Sequence, residues 1–200
     1  NIERIKADGL TVTALEEEFT VKPAALHLGE VSAARQLFDA VFLAVKSFDT
    51  PWTAKFIEPY LAPGGYVASA QNSINEDAIA AVVGWPRVMG CVVTLGAGMY
   101  EPGHAQRTSG SDRHALTVGE PSGLLTQRLK SISSVLGESF VTKTTANLWG
   151  ERWAKLATNC MANALAGITG LKSAEIRQNA RVRDTSMGIV VELLRVAEAL

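Results

Sequence analysis

The chain has 200 residues, of which 47% are hydrophobic and 20% are charged. These fractions are ordinary for a folded protein of one or two domains and exclude a disordered chain. The net charge is −1, so no broad basic field is available and we expect neither a nucleic-acid partner nor an anionic membrane partner. Two cysteines cannot build a disulfide framework, which favours a reducing compartment and a cytoplasmic location.

Up to about Val141, short strand-like runs alternate with helical runs. In chain order we predict a weak strand at 19–21, a strand at 39–45, a helix at 50–61, a turn at 63–65, a strand at 66–70, a helix at 75–83 and a strand at 87–95. The run from Asp39 to Val45 is almost entirely apolar, which is typical of a parallel strand buried on both faces. The alternating order predicts an α/β fold with a mostly parallel sheet.

The second half of the chain changes character twice. Residues 96–120 are rich in Gly, Thr and His, and we predict antiparallel strands at 105–109 and 115–118 on the edge of the sheet. A helix at 124–136 and a last strand at 139–142 follow. Everything after Thr145 is predicted as helix, in segments 147–168, from 174 onward and 181–200. We therefore divide the chain into an α/β region at 1–144 and an all-helical region at 145–200.

One polar stripe on the helix at 147–168 is a candidate site. Lys155, Asn159 and Asn163 are spaced by four residues, so they drift by only about 40° per step and share a helix face. A lysine can act as a general acid, and asparagine amides can hold a hydroxyl or a carboxylate. Glu151 continues the stripe, however, so a solvated face with a Glu151–Lys155 pair is the plainer interpretation of the spacing alone.

Two further candidates follow predicted strands. Gln71 and Asn72 end the strand at 66–70, and Lys46 comes directly after the strand at 39–45. Ligands of open α/β sheets bind beyond the carboxyl ends of strands, where a lysine can pair with a phosphate. The alternatives are a polar turn with a helix cap for Gln71-Asn72 and a solvated loop lysine for Lys46. The three histidines show no metal-ligand spacing with the cysteines, so no metal site is expected.

No G-x-G-x-x-G motif occurs, and Gly96-Ala-Gly98 lacks the third glycine. Several blocks nevertheless carry a family resemblance: Asp39-Ala-Val-Phe-Leu-Ala-Val-Lys46, Pro63-Gly64-Gly65, Gln71-Asn72, Arg87-Val-Met-Gly90 and Val118-Gly-Glu120. The most specific block is Leu148-Trp149 with Trp153-Ala-Lys-Leu-Ala-Thr-Asn-Cys-Met-Ala-Asn163. On these blocks, nearly the whole chain resembles the 2-dehydropantoate 2-reductase (ketopantoate reductase) family.

The resemblance implies NADPH-dependent reduction of 2-dehydropantoate to pantoate, on the way to pantothenate and coenzyme A, by a homodimer. Lys155 matches the family's catalytic lysine, which protonates the keto oxygen as hydride arrives. Asn159 and Asn163 match its substrate-binding asparagines, and Asn72 matches an asparagine near both nicotinamide and substrate. Lys46 matches a cofactor-contacting lysine, and Ala97, or the glycine before it, falls near another cofactor contact.

The resemblance also implies domains. Residues 1–144 correspond to a Rossmann-like dinucleotide-binding domain that lacks its first βαβ piece, and 145–200 to the start of a helical substrate and dimerisation domain. Because the first residue is Asn1 and not Met, we expect the chain to start inside a longer protein, with the family's later serine and glutamate contacts beyond Leu200. Ser73 stands where the family usually has glycine. A reductase of another 2-keto acid and a truncated, non-catalytic module remain the alternatives.

Overall fold

A computed structural model of the chain describes residues 1–15, 17–110 and 114–200. Its elements, in chain order, are α1 (Ile2–Asp8), β1 (Leu10–Ala14), β2 (Glu17–Val21), α2 (Leu28–Ala34), β3 (Phe38–Leu43), α3 (Thr50–Ile57), β4 (Leu61–Ser69), α4 (Glu76–Val83), β5 (Val88–Val93), β6 (Ala97–Glu101), β7 (His104–Arg107), β8 (Leu116–Gly119), α5 (Gln127–Gly137), β9 (Thr142–Thr145), α6 (Leu148–Thr169), α7 (Ser173–Gln178) and α8 (Ala180–Ala199).

The main sheet has five strands in the order β3-β4-β5-β8-β9. β3, β4 and β5 are parallel, β8 runs antiparallel to β5, and β9 runs parallel to β8. Val67 and Val88 point into one core together with Ile79 of α4, whereas Tyr66 and Met89 point into a second core beneath α5. Successive strand residues face opposite sides, so both faces of the sheet are covered. The predicted α/β class with a mostly parallel sheet and a helical C-terminal region is confirmed.

A second sheet, in the order β2-β1-β7-β6, differs from the sequence prediction. β7 was expected at the edge of the main sheet, but it pairs with β1 and β6. β8 was also expected at that edge, but it lies between β5 and β9. These predictions were wrong because strand propensity does not reveal which strand a segment will pair with. The helices α1 and α2 were not predicted, since each has only seven residues and no buried side chain.

Three predicted boundaries move. Pro63–Gly65 was expected to be a turn, but it lies within β4, where Gly64 has φ of 80° and the pairing with β3 shifts between Phe38 and Ala40. The helix predicted to reach residue 61 ends at Ile57, and a 3₁₀ turn with a proline follows it. The last strand begins at Thr142 and not at 139, because the amides of residues 138–140 still bond to carbonyls of α5.

The first helix of the C-terminal part, α6, begins and ends within one residue of the segment predicted at 147–168. The Asn147 side chain caps α6 by accepting a hydrogen bond from the Gly150 amide at 3.0 Å, and Gly170 ends the helix with φ of 69°. α8 packs along α6, and Ser186 donates to the Met161 carbonyl. Within the described ranges, no helix is long and apolar enough to cross a membrane.

Candidate functional site

The carboxyl ends of three neighbouring parallel strands form one edge of the main sheet. β3 ends at Leu43, β4 at Ser69 and β5 at Val93. Lys46 follows the first of these strands by three residues, and Asn72 follows the second by the same number. Ligands of open α/β sheets bind at this kind of edge.

A cavity of about 400 Å³ opens between the first two of these strand ends. Its lining residues are Ala44, Val45, Lys46, Ser47, Asp49, Ala70, Gln71 and Asn72. Lys46 and Asn72 are both exposed, and among the residues that the structure describes neither side chain has a hydrogen bond or an ion pair. The structure therefore brings a cation and an amide with open bonding capacity into one cavity, where a polar or anionic ligand can use them.

Gln71 and Asn72 have different roles although they are adjacent. The Gln71 side chain is 5% exposed, and its amide donates to the Val45 carbonyl at 2.9 Å and to Thr50 Oγ1 at 2.8 Å. It thereby ties the loop after β4 to the loop after β3. Asn72 uses only its backbone carbonyl locally, which accepts from the Asn75 side chain at 2.8 Å. The Gln71 side chain thus holds the two loops together, whereas the Asn72 side chain has no hydrogen bond among the described residues.

Ser73 follows Asn72 in a left-handed conformation with φ of 70°. Residues other than glycine rarely adopt this backbone conformation, because it costs them about 1–2 kcal/mol. The backbone at this position therefore suits the glycine that the resembled family usually has. Strain of this kind persists only where the surrounding structure imposes the conformation, and it is concentrated at functional sites.

The polar stripe of α6 is intact in the structure. Lys155 and Asn159 are half-buried and Asn163 is exposed. No side-chain hydrogen bond or ion pair engages any of the three within residues 1–15, 17–110 and 114–200. Glu151 lies near Lys143, with Oε1 and Nζ 3.6 Å apart, so the Glu151–Lys155 pair of the plainer interpretation is not formed.

Arg152, which the sequence analysis did not single out, joins α6 to the cavity edge. Its Nε donates to Glu76 Oε1 at 2.8 Å, Nη1 to the Gln71 carbonyl at 2.8 Å, and Nη2 to the Ser69 carbonyl at 2.6 Å. The side chains of Arg152 and Glu76 are 2% and 0% exposed. The sequence did hold a signal: Arg152 stands between Trp149 and Trp153, on the apolar flank of the helix. A charged residue in such a place is buried only if it is paired, so a partner could have been expected.

Ala97 is not brought to the cavity. It is exposed, begins β6 in the second sheet, and pairs with Arg107. It follows the carboxyl end of β5 by four residues, so it still lies near the end of the third parallel strand, next to those of β3 and β4. Lys46 and Asn72 are thus together, whereas Ala97 is not among the residues that line their cavity.

A second cavity, of about 470 Å³, lies at the opposite edge of the sheet. It is lined by Trp85, Pro86, Glu120, Pro121, Ser122, Thr126, Arg128 and Trp149, and none of the predicted site residues is among them. Burial raises the pKa of Glu120, but hydrogen bonds from Arg128 and Thr126 outweigh it and hold that pKa below its ordinary value of 4.5. Glu120 is therefore ionised and already paired.

Other reactive groups have an unreactive environment. Burial raises the pKa of the Cys91 thiol to about 11, so the thiolate needed for nucleophilic chemistry is scarce at neutral pH. No three His, Cys, Asp or Glu side chains within the described part of the chain gather in a way that could hold a metal ion. The groups at the carboxyl edge and on α6 are the remaining candidates for chemistry.

Two family models match the chain. The model described as ketopantoate reductase PanE/ApbA matches residues 1–123, and the model of the ketopantoate reductase PanE/ApbA C terminal matches residues 147–200. A curated 2-dehydropantoate 2-reductase from Aquifex aeolicus is 23% identical over 98% of the chain. The chain spans only 62% of that protein's length.

Solved structures share the fold. A PanE/ApbA family ketopantoate reductase from Ralstonia eutropha JMP134 is 28% identical with a TM-score of 0.84, over 99% of this chain and 63% of its own. A D-mandelate dehydrogenase, solved with NADH and anilino(oxo)acetate, is 20% identical with a TM-score of 0.88, over 99% and 63%. At that identity the second likeness concerns the fold alone.

Proposed function

The chain belongs to the ketopantoate reductase PanE/ApbA family, and on this premise we propose that its protein reduces 2-dehydropantoate to pantoate with NADPH. Residues 1–144 then contribute to the dinucleotide-binding domain, and residues 145–200 begin the helical domain that binds the substrate and forms a homodimer. The pathway is the one that leads to pantothenate and coenzyme A, in the cytoplasm.

The cavity at the carboxyl edge is the observation that carries this proposal. The exposed Lys46 ammonium and the Asn72 amide both face it, and among the described residues neither side chain has a partner. These groups fit a dinucleotide, because a phosphate needs a cation and a carboxamide needs hydrogen-bonding partners. Lys46 and Asn72 are the proposed cofactor contacts, with Ala97 as a further contact at the third strand end. When bound, the nicotinamide cofactor supplies the hydride.

Lys155 is the proposed general acid. Reduction of a keto group builds negative charge on its oxygen, and a cationic donor beside that oxygen stabilises the transition state. Lys155 Nζ donates the proton to this oxygen, and because the side chain is half-buried the amine can take up a new proton from solvent. Asn159, Asn163 and Asn72 orient the substrate's carboxylate and hydroxyl through their amides.

The experiment is NADPH oxidation by the full-length protein, followed by absorbance, with wild type, Lys155→Ala and Lys143→Ala. Lys143 is the control, because it is a lysine of β9 that neighbours Glu151 and none of the proposed site residues Lys155, Asn159 and Asn163. We expect Lys155→Ala to lose about 100-fold or more in kcat and Lys143→Ala to lose almost nothing. An unchanged rate in Lys155→Ala removes the general-acid role.

Reduction of a different 2-keto acid is a second candidate, favoured by Ser73. Its side chain stands next to Asn72 in a conformation with φ of 70°, where the resembled family usually has glycine. We infer that a side chain at this point restricts which keto acids can bind beside the Asn72 amide. A panel of 2-keto acids assayed with NADPH and NADH separates the candidates, since turnover led by another acid keeps the mechanism and changes the substrate. Absence of both turnover and cofactor binding favours the non-catalytic module, whereas NADPH binding without any turnover removes the proposed substrate class.

A further inference from the structure

The contact between Arg152 and Glu76 is the most deeply buried ion pair among the described residues. A buried ion pair loses the hydration of both charges, so it is a weak source of stability. It is better attested as a device that fixes how two elements are registered against each other. Arg152 and Glu76 join α6 to α4 across 76 residues of sequence.

The guanidinium also holds the cavity edge directly. Besides Glu76, it donates to the carbonyls of Ser69 and Gln71 at 2.6 and 2.8 Å. Ser69 is the last residue of β4, and Gln71 directly precedes Asn72. The three acceptors face a planar fork of donors, which fits several fixed acceptors better than the point charge of a lysine does.

Arg152 also lies close to the proposed proton donor. It precedes Lys155 by three residues on α6, which is about 4.5 Å along the helix axis. Leu148, one turn earlier, packs over Gly90 of β5, where a Cβ atom would collide with the Leu148 side chain. The first two turns of α6 are therefore seated on the sheet immediately before Lys155.

We propose that Arg152 is a positioning residue that sets the distance between Lys155 on α6 and Asn72 on the cavity edge. This inference rests on the proposed function and adds a residue that has no role of its own in proton transfer. A fixed distance matters because a displacement of about 1 Å in a reacting group can cost about 100-fold in rate.

Arg152→Lys in the full-length protein is the decisive variant, and Arg87→Lys is its matched control. Arg87 likewise donates to two carbonyls of β4, those of Gly65 at 3.0 Å and Ala62 at 2.7 Å, but at the amino end of that strand. Both changes keep the charge and remove the planar fork. The two arginines thus make similar contacts at opposite ends of one strand.

We expect Arg152→Lys to lower kcat by about 100-fold, with the KM for the keto acid and the dissociation constant for NADPH changed less than about threefold. Arg87→Lys should lower the thermal midpoint while keeping kcat. If Arg152→Lys lowers only the thermal midpoint and keeps kcat, its role is structural and the proposal is overturned.

Hydrogen exchange followed by mass spectrometry provides a readout that needs no activity. In Arg152→Lys, the amides of residues 70–75 should exchange faster than in wild type, whereas in Arg87→Lys the faster exchange should be confined to residues 61–66. Unchanged exchange at 70–75 overturns the proposal even if wild type reduces no keto acid. Absence of turnover in wild type, with faster exchange at 70–75, instead sinks the proposed function and keeps the positioning role. If Arg152→Lys does not fold, Glu76→Gln takes its place. Because it removes the charge but keeps an acceptor oxygen for Arg152, we expect a smaller loss of kcat with faster exchange at residues 70–75, and no change in either overturns the proposal.

Discussion

Two Glu–Arg pairs lie at opposite ends of the parallel strands of the main sheet. They have the same chemistry but differ in burial and in how far apart in sequence their partners are. Glu120 accepts from Arg128 Nε at 2.8 Å, and Arg128 also donates to the Pro86 carbonyl at 2.6 Å. Arg152 donates to Glu76 at 2.8 Å and also to the carbonyls of Ser69 and Gln71. The Arg128 side chain is 29% exposed, however, whereas that of Arg152 is 2% exposed.

The sequence separation of the partners explains what the difference means. Glu120 and Arg128 are eight residues apart and close a local loop between β8 and α5. Glu76 and Arg152 are 76 residues apart and connect the α/β part to the helix that carries Lys155. The contact between Glu120 and Arg128 is therefore local, although Arg128 also reaches the Pro86 carbonyl 42 residues away. The second pair instead joins the α/β part to the helix of the candidate site.

Truncation of the two arginines should give the largest difference in stability between the pairs. Arg152→Met leaves the Glu76 carboxylate buried without its cation, so we expect the free energy of unfolding to fall by about 3–5 kcal/mol. Arg128→Met should cost about 1–3 kcal/mol, because water can reach the vacated position. Urea unfolding of both variants measures the difference, and equal losses would contradict the distinction drawn from burial.

The contact between Leu148 and Gly90 tests the part of α6 that lies between the two edges. Gly90→Ala introduces a Cβ atom against the Leu148 side chain, so we expect a loss of about 1–3 kcal/mol in the free energy of unfolding. Leu148→Ala should offset much of this in the double variant, since it removes the colliding atoms. Gly29→Ala is the control: nothing lies within 4 Å of its Cβ position in α2, so stability should rise slightly. An additive double variant would show that the helix does not rest on the strand at this point.

Acid titration sharpens the description of the local pair. The folded-state pKa of Glu120 lies below its ordinary value of 4.5, so its ionised form stabilises the fold. This contribution to the free energy of unfolding is fully present at pH values above about 4.5, and it is lost as the pH falls through the folded-state pKa of Glu120. The stability difference between wild type and Glu120→Gln should therefore shrink as the pH is lowered from neutral into this range. Urea unfolding across the pH series measures it, and a constant difference would show that Glu120 contributes through packing alone.

The smallest effect is expected at Ser73. Ser73→Gly relieves the left-handed conformation, a gain of about 1–2 kcal/mol, and loses about 0.5–1 kcal/mol to chain entropy. We expect a net gain of about 0.5 kcal/mol in the free energy of unfolding. Ser134→Gly, within α5, is the control and should show the entropic loss alone. Thermal unfolding measures both variants, and an equal loss of stability in the two would show that Ser73 is not strained.

The sequence predicted the elements with strong local signals. The apolar run at 39–45 and the helix at 147–168 were recognised because burial on both faces and helical periodicity leave marks within one segment. The two-sheet arrangement was not recognised, since the pairing of β1 with β7 joins segments about 90 residues apart. Local propensity does not record such pairings.

The candidate site was predicted in part for the same reason. Lys46, Asn72 and the stripe from Lys155 to Asn163 follow from strand ends and helix spacing. Arg152 and Glu76 escaped notice because each is an ordinary charged helix residue in its own segment, and Glu76 lies in the first turn of α4, where acids are common. Their importance lies in the contact between them, which only the folded chain shows.

The attachment of α6 to the sheet has a consequence for motion. Among the residues that the structure describes, the hydrogen bonds and ion pairs between α6 and the α/β part all lie at or before Arg152. A tilt of α6 relative to the α/β part would therefore have its pivot at Arg152, the last residue with such a contact. Lys155 lies about 4.5 Å from the pivot and Asn163 about 17 Å, so any tilt moves Asn163 about four times as far. Such a tilt would move the proposed substrate-binding amide of Asn163 while leaving the proposed proton donor, Lys155, nearly still.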